Sequence, residues 1–210
     1  MIMAISKHKI FISYHHANDQ GYKESLLEWN KNNNYDIFID ASVDTGDIDD
    51  RLSDNAIRQK IRDEYLRDST VTILLVGTET KNRKHIDWEI YSSMYDGQVN
   101  RKSGVLVIQL PITGCTTYTA AHGDEEKSAL YPDNDSWMSI TSRTDYESRY
   151  PYLSQRIIDN LLKVDAKVSV ANWSTITASP DKLKLMIDLT YRDRADCNYD
   201  LSRPMRRASS

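Results

Sequence analysis

Four short runs of apolar, β-branched and aromatic residues, each but the last followed by a stretch with helical spacing, restrict this chain more than any other feature. KIFISY (9–14) leads into 20–31, where Tyr22, Leu26, Leu27 and Trp29 fall near one helical face. YDIFID (35–40) leads through a polar, acidic loop into 52–66, where Leu52, Ala56, Ile57, Ile61 and Tyr65 share a face. TVTILLVG (70–77) is almost wholly apolar and reads as a central parallel strand covered on both sides. Ile86, Ile90 and Met94 then recur at i, i+4 spacing, with Gly97 as the expected C-cap, before the strand GVLVIQL (104–110). Successive β-α units of this kind predict an α/β fold with a doubly wound, mainly parallel, flavodoxin-like sheet and right-handed crossovers.

A chain of 210 residues can bury a sizeable core, and one domain over 1–210 is the expectation, with its core at about 9–110. Beyond Pro111 the regularity weakens. Residues 111–146, rich in Thr, Gly, Asp and Ser, read as a long irregular insertion or loop, of a length that is usually functional or carries small elements of its own. A C-terminal elaboration over 147–195 is expected to hold a helix at 152–164, an edge strand at 167–173 and a last helix opening at Ser179-Pro180-Asp181. The tail 196–210, with its Arg cluster, reads as a frayed, solvated end.

Composition excludes several roles. A net charge of −4, from 27 basic and 31 acidic residues, gives no field that would draw the chain onto nucleic acid or an anionic membrane. Cys115 and Cys197 lie far apart with no CxxC pair, against a disulfide framework or a zinc ribbon. The short apolar start reads as a strand rather than a signal peptide, and no 18-residue apolar run occurs, so a cytoplasmic protein is expected.

In an open parallel sheet, ligands bind beyond the C-terminal ends of the strands, where the strand order reverses. The residues there are Ser13, Tyr14, His15, His16, Asn18 and Asp19 after the first strand, Asp40, Ser42 and Asp44 after the second, and Gly77, Thr78 and Thr80 after the third. No GxGxxG follows the first strand and no GxxxxGK[ST] occurs, which removes a Rossmann cradle and a P-loop. A response-regulator receiver needs an acidic pair after the first strand and an acceptor Asp after the third, where this chain has SYHH and GTET.

These residues also resemble a family. FISYHHAND resembles the opening of TIR (Toll/interleukin-1 receptor-like) domains, IFID and its acidic loop resemble their second strand, and ILLVGTETKNRKHIDWEI resembles their third strand running into the helix that bears the family glutamate. The resemblance covers 9–110 and, through SYHH and DWEI, is closest to the TIR-like proteins of bacterial anti-phage systems of the Thoeris type. It implies NAD+ as substrate, with no separate cofactor, and cleavage of the nicotinamide–ribose bond by an NAD+ glycohydrolase or ADP-ribosyl cyclase. It further implies a cyclic ADP-ribose-type messenger that reaches an effector by diffusion. The glutamate carried over is Glu89. Many TIR domains have a Trp-Cys pair beginning four residues before it; this chain has His85 and Ile86.

Glu89 suits that chemistry on physical grounds. Departure of nicotinamide leaves cationic character on the ribose, and one anionic group beside it suffices because the leaving group already carries a positive charge. The alternative for Glu89 is a carboxylate favoured by the helix dipole. Ser13, Tyr14, His15 and His16 are the expected wall of the nucleotide pocket, through aromatic faces and hydrogen bonds, against a plain loop with two solvated histidines. Asp40 is the candidate ribose contact. Trp88 is placed beside the substrate, although its stripe with Tyr91 and Tyr95 also reads as packing against the sheet or C-terminal elements, or as a self-association surface. A metal site of His15, His16 and His85 is disfavoured because adjacent histidines converge poorly on one ion, and the acidic residues Asp40, Asp44, Asp47, Asp49 and Asp50 do not follow an EF-hand pattern. The rival functions are a non-enzymatic TIR-like adaptor and a nucleotide-binding sensor.

Overall fold

The computed structural model describes residues 7–32, 37–42, 48–49 and 51–208. In chain order its elements are β1 (His8–Ser13), α1 (His16–Asn32), β2 (Phe38–Asp40), α2 (Asp54–Lys60), β3 (Val71–Val76), α3 (Lys84–Met94), β4 (Gly104–Gln109), α4 (Asp124–Leu130), α5 (Arg143–Arg149), α6 (Gln155–Leu161), β5 (Ser169–Asn172), α7 (Trp173–Ile176) and α8 (Pro180–Asp193). The strands form one five-stranded sheet in the order β2-β1-β3-β4-β5, with every neighbouring pair parallel. This is the doubly wound arrangement that the β-α repetition predicts, and its strand order reverses between β1 and β3.

Alternation along the strands assigns the two faces. Ile10 and Ile12 of β1 pack with Leu26 of α1 and with Leu183, Met186 and Ile187 of α8. Phe11, one residue out of step, packs on the opposite face with Ile57 of α2 and Trp88 of α3. On that same face Leu74, Val76, Val105 and Val107 meet Ile86, Ile90 and Met94 of α3, the stripe expected to be buried, together with Ile157 and Ile158 of α6. All six residues of β3 are buried, as expected of a strand covered on both sides. Where α8 crosses β4, a Cβ at Gly104 would overlap the carbonyl of Thr190, so only glycine admits this approach.

Helix starts are written locally. Ser53, Ser142, Ser154 and Ser179 each accept a backbone N–H from the first turn of the helix that follows. Helix ends were less legible. The expected helix 52–66 is regular only over Asp54–Lys60 and closes in a π-helical turn, Ile61–Tyr65. Gly97 does not cap α3, which ends at Met94 with Tyr95 as its C-cap. The expected strand at 35–40 is present as Phe38–Asp40, while Tyr35 and Asp36 lie outside the described residues, as do Asp44, Asp47 and Asp50.

The segment 111–146 carries small elements of its own: it contains α4 and the start of α5, and Thr119 bridges antiparallel to Val170 of the edge strand β5. The tail corrects an expectation. It is not frayed: Cys197, Tyr199 and Met205 are buried, and Met205 lies in the cluster of Phe11, Ile57 and Trp88. Arg203 is paired with Asp159, and Arg207 with Asp54, so the Arg cluster is anchored rather than merely solvated.

Candidate functional site

The C-terminal ends of β1 and β3 carry the polar residues that set the site. Ser13 ends β1 on the face toward α3, and its hydroxyl donates to Glu89 Oε2 at 2.6 Å, both residues being buried. A short bond from a hydroxyl to a carboxylate is a charge-assisted contact and holds the carboxylate in one orientation. Glu89 is 6% exposed. Beside this pair, the backbone N–H of Gly77 donates to Thr80 Oγ1 at 2.8 Å, and Thr80 Oγ1 donates to Asp19 Oδ2 at 3.3 Å. A Cβ on Gly77 would overlap the Asp19 carboxylate, so glycine is required for Asp19 to sit across the crevice between β1 and β3. Burial pushes the Asp19 carboxyl above its ordinary value, against the Thr80 hydrogen bond and His15.

The loop after β1 divides its work. Tyr14 is buried in the core under α1, with its ring stacked on His16 at a centroid separation of 4.4 Å. His16 itself is exposed. His15 is half-buried, and its Nδ1 is buried with no hydrogen-bond partner among the described residues. Burial, then the nearby charge of Arg83, holds its pKa below the ordinary value. Arg83 precedes α3 as its N-cap, makes no side-chain capping bond, and has a buried Nε that is likewise without a partner. A buried donor left unsatisfied costs about 1–3 kcal/mol.

Two of the expected site residues are placed elsewhere. Trp88 does not line the site: it is 0% exposed, sealed beneath α2 and the tail, and its Nε1 donates to the carbonyl of Arg206 at 2.7 Å. Its stripe is a packing stripe, with Arg156 over the ring of Tyr91 and Arg58 over that of Tyr95. Asp40 is level with Ile10 in the sheet register, about 10 Å short of Ser13 at the rise of a strand. Its carboxylate accepts from the backbone of Ser42, so it shapes its own turn rather than meeting Glu89. Arg83 was missed in the sequence, and a signal was present: with Lys84 it places cationic side chains at a helix N-terminus, where the dipole favours anions.

Two clefts lie away from Glu89. One of about 570 Å³ is lined by Tyr118, Lys127, Trp137, Lys163 and Lys167, and another of about 440 Å³ by Lys81, Asn82, Tyr150 and Arg206. Among the described residues no cluster of three or more His, Cys, Asp or Glu is arranged to hold a metal, and no helix is long and apolar enough to cross a membrane.

A search of curated proteins finds no match to this chain. Residues 11–114 match the family model described as "Thoeris protein ThsB, TIR-like domain". The match runs from within β1 to just past β4 and includes Ser13, Asp19, Arg83 and Glu89. An all-parallel sheet in the order 2-1-3-4-5, a serine at the end of β1 bonded to the glutamate of α3, and this match together place the chain in the Thoeris ThsB TIR-like domain family, as a TIR-like defence protein.

Proposed function

We propose that the protein consumes NAD+, breaking the nicotinamide–ribose bond and making a cyclic ADP-ribose-type signal that activates an anti-phage effector. The observation that carries this reading is the hydrogen bond of Ser13 to Glu89 beside the switch point of the sheet. As the C–N bond breaks, its electron pair goes to the pyridinium nitrogen and neutralises it, while positive charge develops on the ribose. The Glu89 carboxylate, held by Ser13, stabilises that cation. Water adding to the cation gives ADP-ribose and a proton; a ring nitrogen of the adenine gives the cyclic product. On this reading His15 and His16 flank the nucleotide.

The test is to incubate the protein and its Glu89→Gln variant with NAD+ and resolve the products by chromatography and mass. Nicotinamide release with a product of cyclic ADP-ribose mass, absent in the variant, supports signal synthesis. Linear ADP-ribose alone reduces the reading to a plain NADase.

A second reading is favoured by the burial of Glu89. On that reading the domain is an adaptor acting through protein contacts, and Glu89 ties α3 to β1. Defence activity unchanged by Glu89→Gln, with no NAD+ turnover in either protein, supports the adaptor.

A further inference from the structure

Within the reading of a nucleotide site at the end of β1, we propose that Arg83 and His15 form its diphosphate subsite, which binds the pyrophosphate bridge of a dinucleotide or nucleoside diphosphate. Arg83 Nε and His15 Nδ1 are both buried and both without a partner among the described residues. They lie on different segments, the loop after β1 and the N-cap of α3, that meet at the reversal of strand order. Buried polar nitrogens in a folded protein are almost always paired, and the charge of Arg83 is felt at His15, so these two neighbouring orphans call for a partner from outside the described residues. The acceptor that suits a guanidinium fork is a phosphate, whose oxygens can take two parallel N–H bonds at once.

The surroundings agree. Arg83 has no carboxylate partner among the described residues, whereas Arg62 and Arg156 on the same face are held by hydrogen bonds from within the protein. Arg83 and Lys84 open α3 against the direction the helix dipole favours, and a bound anion there removes the conflict. Two carboxylates face His15 as well, Asp19 and Glu79; Asp19 is occupied by the Thr80 hydroxyl. Arg83 precedes Glu89 by six positions, about 9 Å along the helix axis at 1.5 Å per residue. That is the scale of one ribose phosphate, so a dinucleotide with its diphosphate on Arg83 can present its ribose to Glu89.

The experiment is calorimetric titration of the full chain, Arg83→Gln, Arg83→Lys and His15→Ala with ADP-ribose, adenosine and inorganic pyrophosphate, with NAD+ turnover and thermal melting in parallel. ADP-ribose affinity is expected to fall at least tenfold in Arg83→Gln and less in His15→Ala, with adenosine unaffected, Arg83→Lys partly restoring binding, and melting temperature unchanged. Pyrophosphate binding as tightly as ADP-ribose assigns the subsite to free phosphates rather than to nucleotides. Equal ADP-ribose affinity in the wild type and Arg83→Gln, or no binding to the wild type, overturns the proposal. Arg83-dependent ADP-ribose binding without NAD+ turnover upholds the subsite and removes the enzyme; turnover with an unchanged KM in Arg83→Gln does the reverse.

Discussion

The guanidinium of Arg156 grips the carboxylate of Asp87 in the interior, Nε at 2.8 Å and Nη2 at 3.0 Å, and thereby ties α6 to α3. The same carboxylate accepts the backbone N–H of Arg206, while Arg156 also donates to the carbonyls of Arg203 and Pro204. One buried ion pair therefore fastens the C-terminal tail over Trp88. Removing one partner strands the other charge, so Arg156→Ala should cost about 3–5 kcal/mol in urea unfolding. The double variant Asp87→Ala/Arg156→Met should be less destabilised than Arg156→Ala. A larger loss in the double variant would contradict this account.

Ser13 bears on the proposed chemistry without touching the bond that breaks. Ser13→Ala deletes a hydrogen bond to a charged group, of about 1.5–3 kcal/mol, so NAD+ turnover should drop by about one to two orders of magnitude. Steady-state kinetics check this, and Ser13→Thr should keep more activity than Ser13→Ala. Full activity in the alanine variant would detach Ser13 from the mechanism.

Gly77 tests the packing of the switch point. Gly77→Ala forces a methyl group into the Asp19 carboxylate, which should destabilise by about 1–3 kcal/mol. Combining it with Asp19→Ala opens room for the methyl and should return part of that loss. Thermal melts of the two single variants and the double variant decide it: strictly additive losses would show that the two residues do not compete for space.

Glu126 gives the stability a pH dependence. It is fully buried, its Oε2 accepts from the backbone of His122 and from Ser169, and burial pushes its pKa up to about 7. The folded pKa is above the unfolded one, so the protonated form is favoured by folding. Its stabilising contribution is complete below about 4.5 and is lost as pH rises through about 7. The neighbouring His122 acts in the opposite sense. Burial lowers its pKa despite Asp193, so its contribution is present above the ordinary histidine value and is lost as pH falls. Glu126→Gln should thus remove the upper slope and keep the lower one. The stability difference between wild type and variant should shift by about 3 kcal/mol between pH 4.5 and 8; a constant difference across that range would refute the assignment.

Local pattern carried the layout of the sheet and its flanking helices. The alternation in KIFISY sends Ile10 and Ile12 to one face and Phe11 to the other, the nearly complete apolarity of β3 announces its central place, and Ile86, Ile90 and Met94 announce the buried side of α3. These follow from backbone periodicity, which any stretch of chain displays on its own. Ser13 and His15 could be nominated the same way, as polar residues where a strand ends, and Glu89 through the resemblance of its helix to the family pattern. Their partnerships could not. Ser13 meets Glu89 across 76 positions only because β1 and β3 are neighbours in the sheet and α3 lies on the face that Ser13 points to. The same dependence buried Trp88, left Asp40 at the level of Ile10, and packed a polar, arginine-rich tail whose anchoring needs a carboxylate more than a hundred residues away. Apolar burial is non-directional and shows in spacing alone, whereas a hydrogen bond or ion pair exists only once two distant segments stand at the right distance and angle, and that is decided when the chain folds.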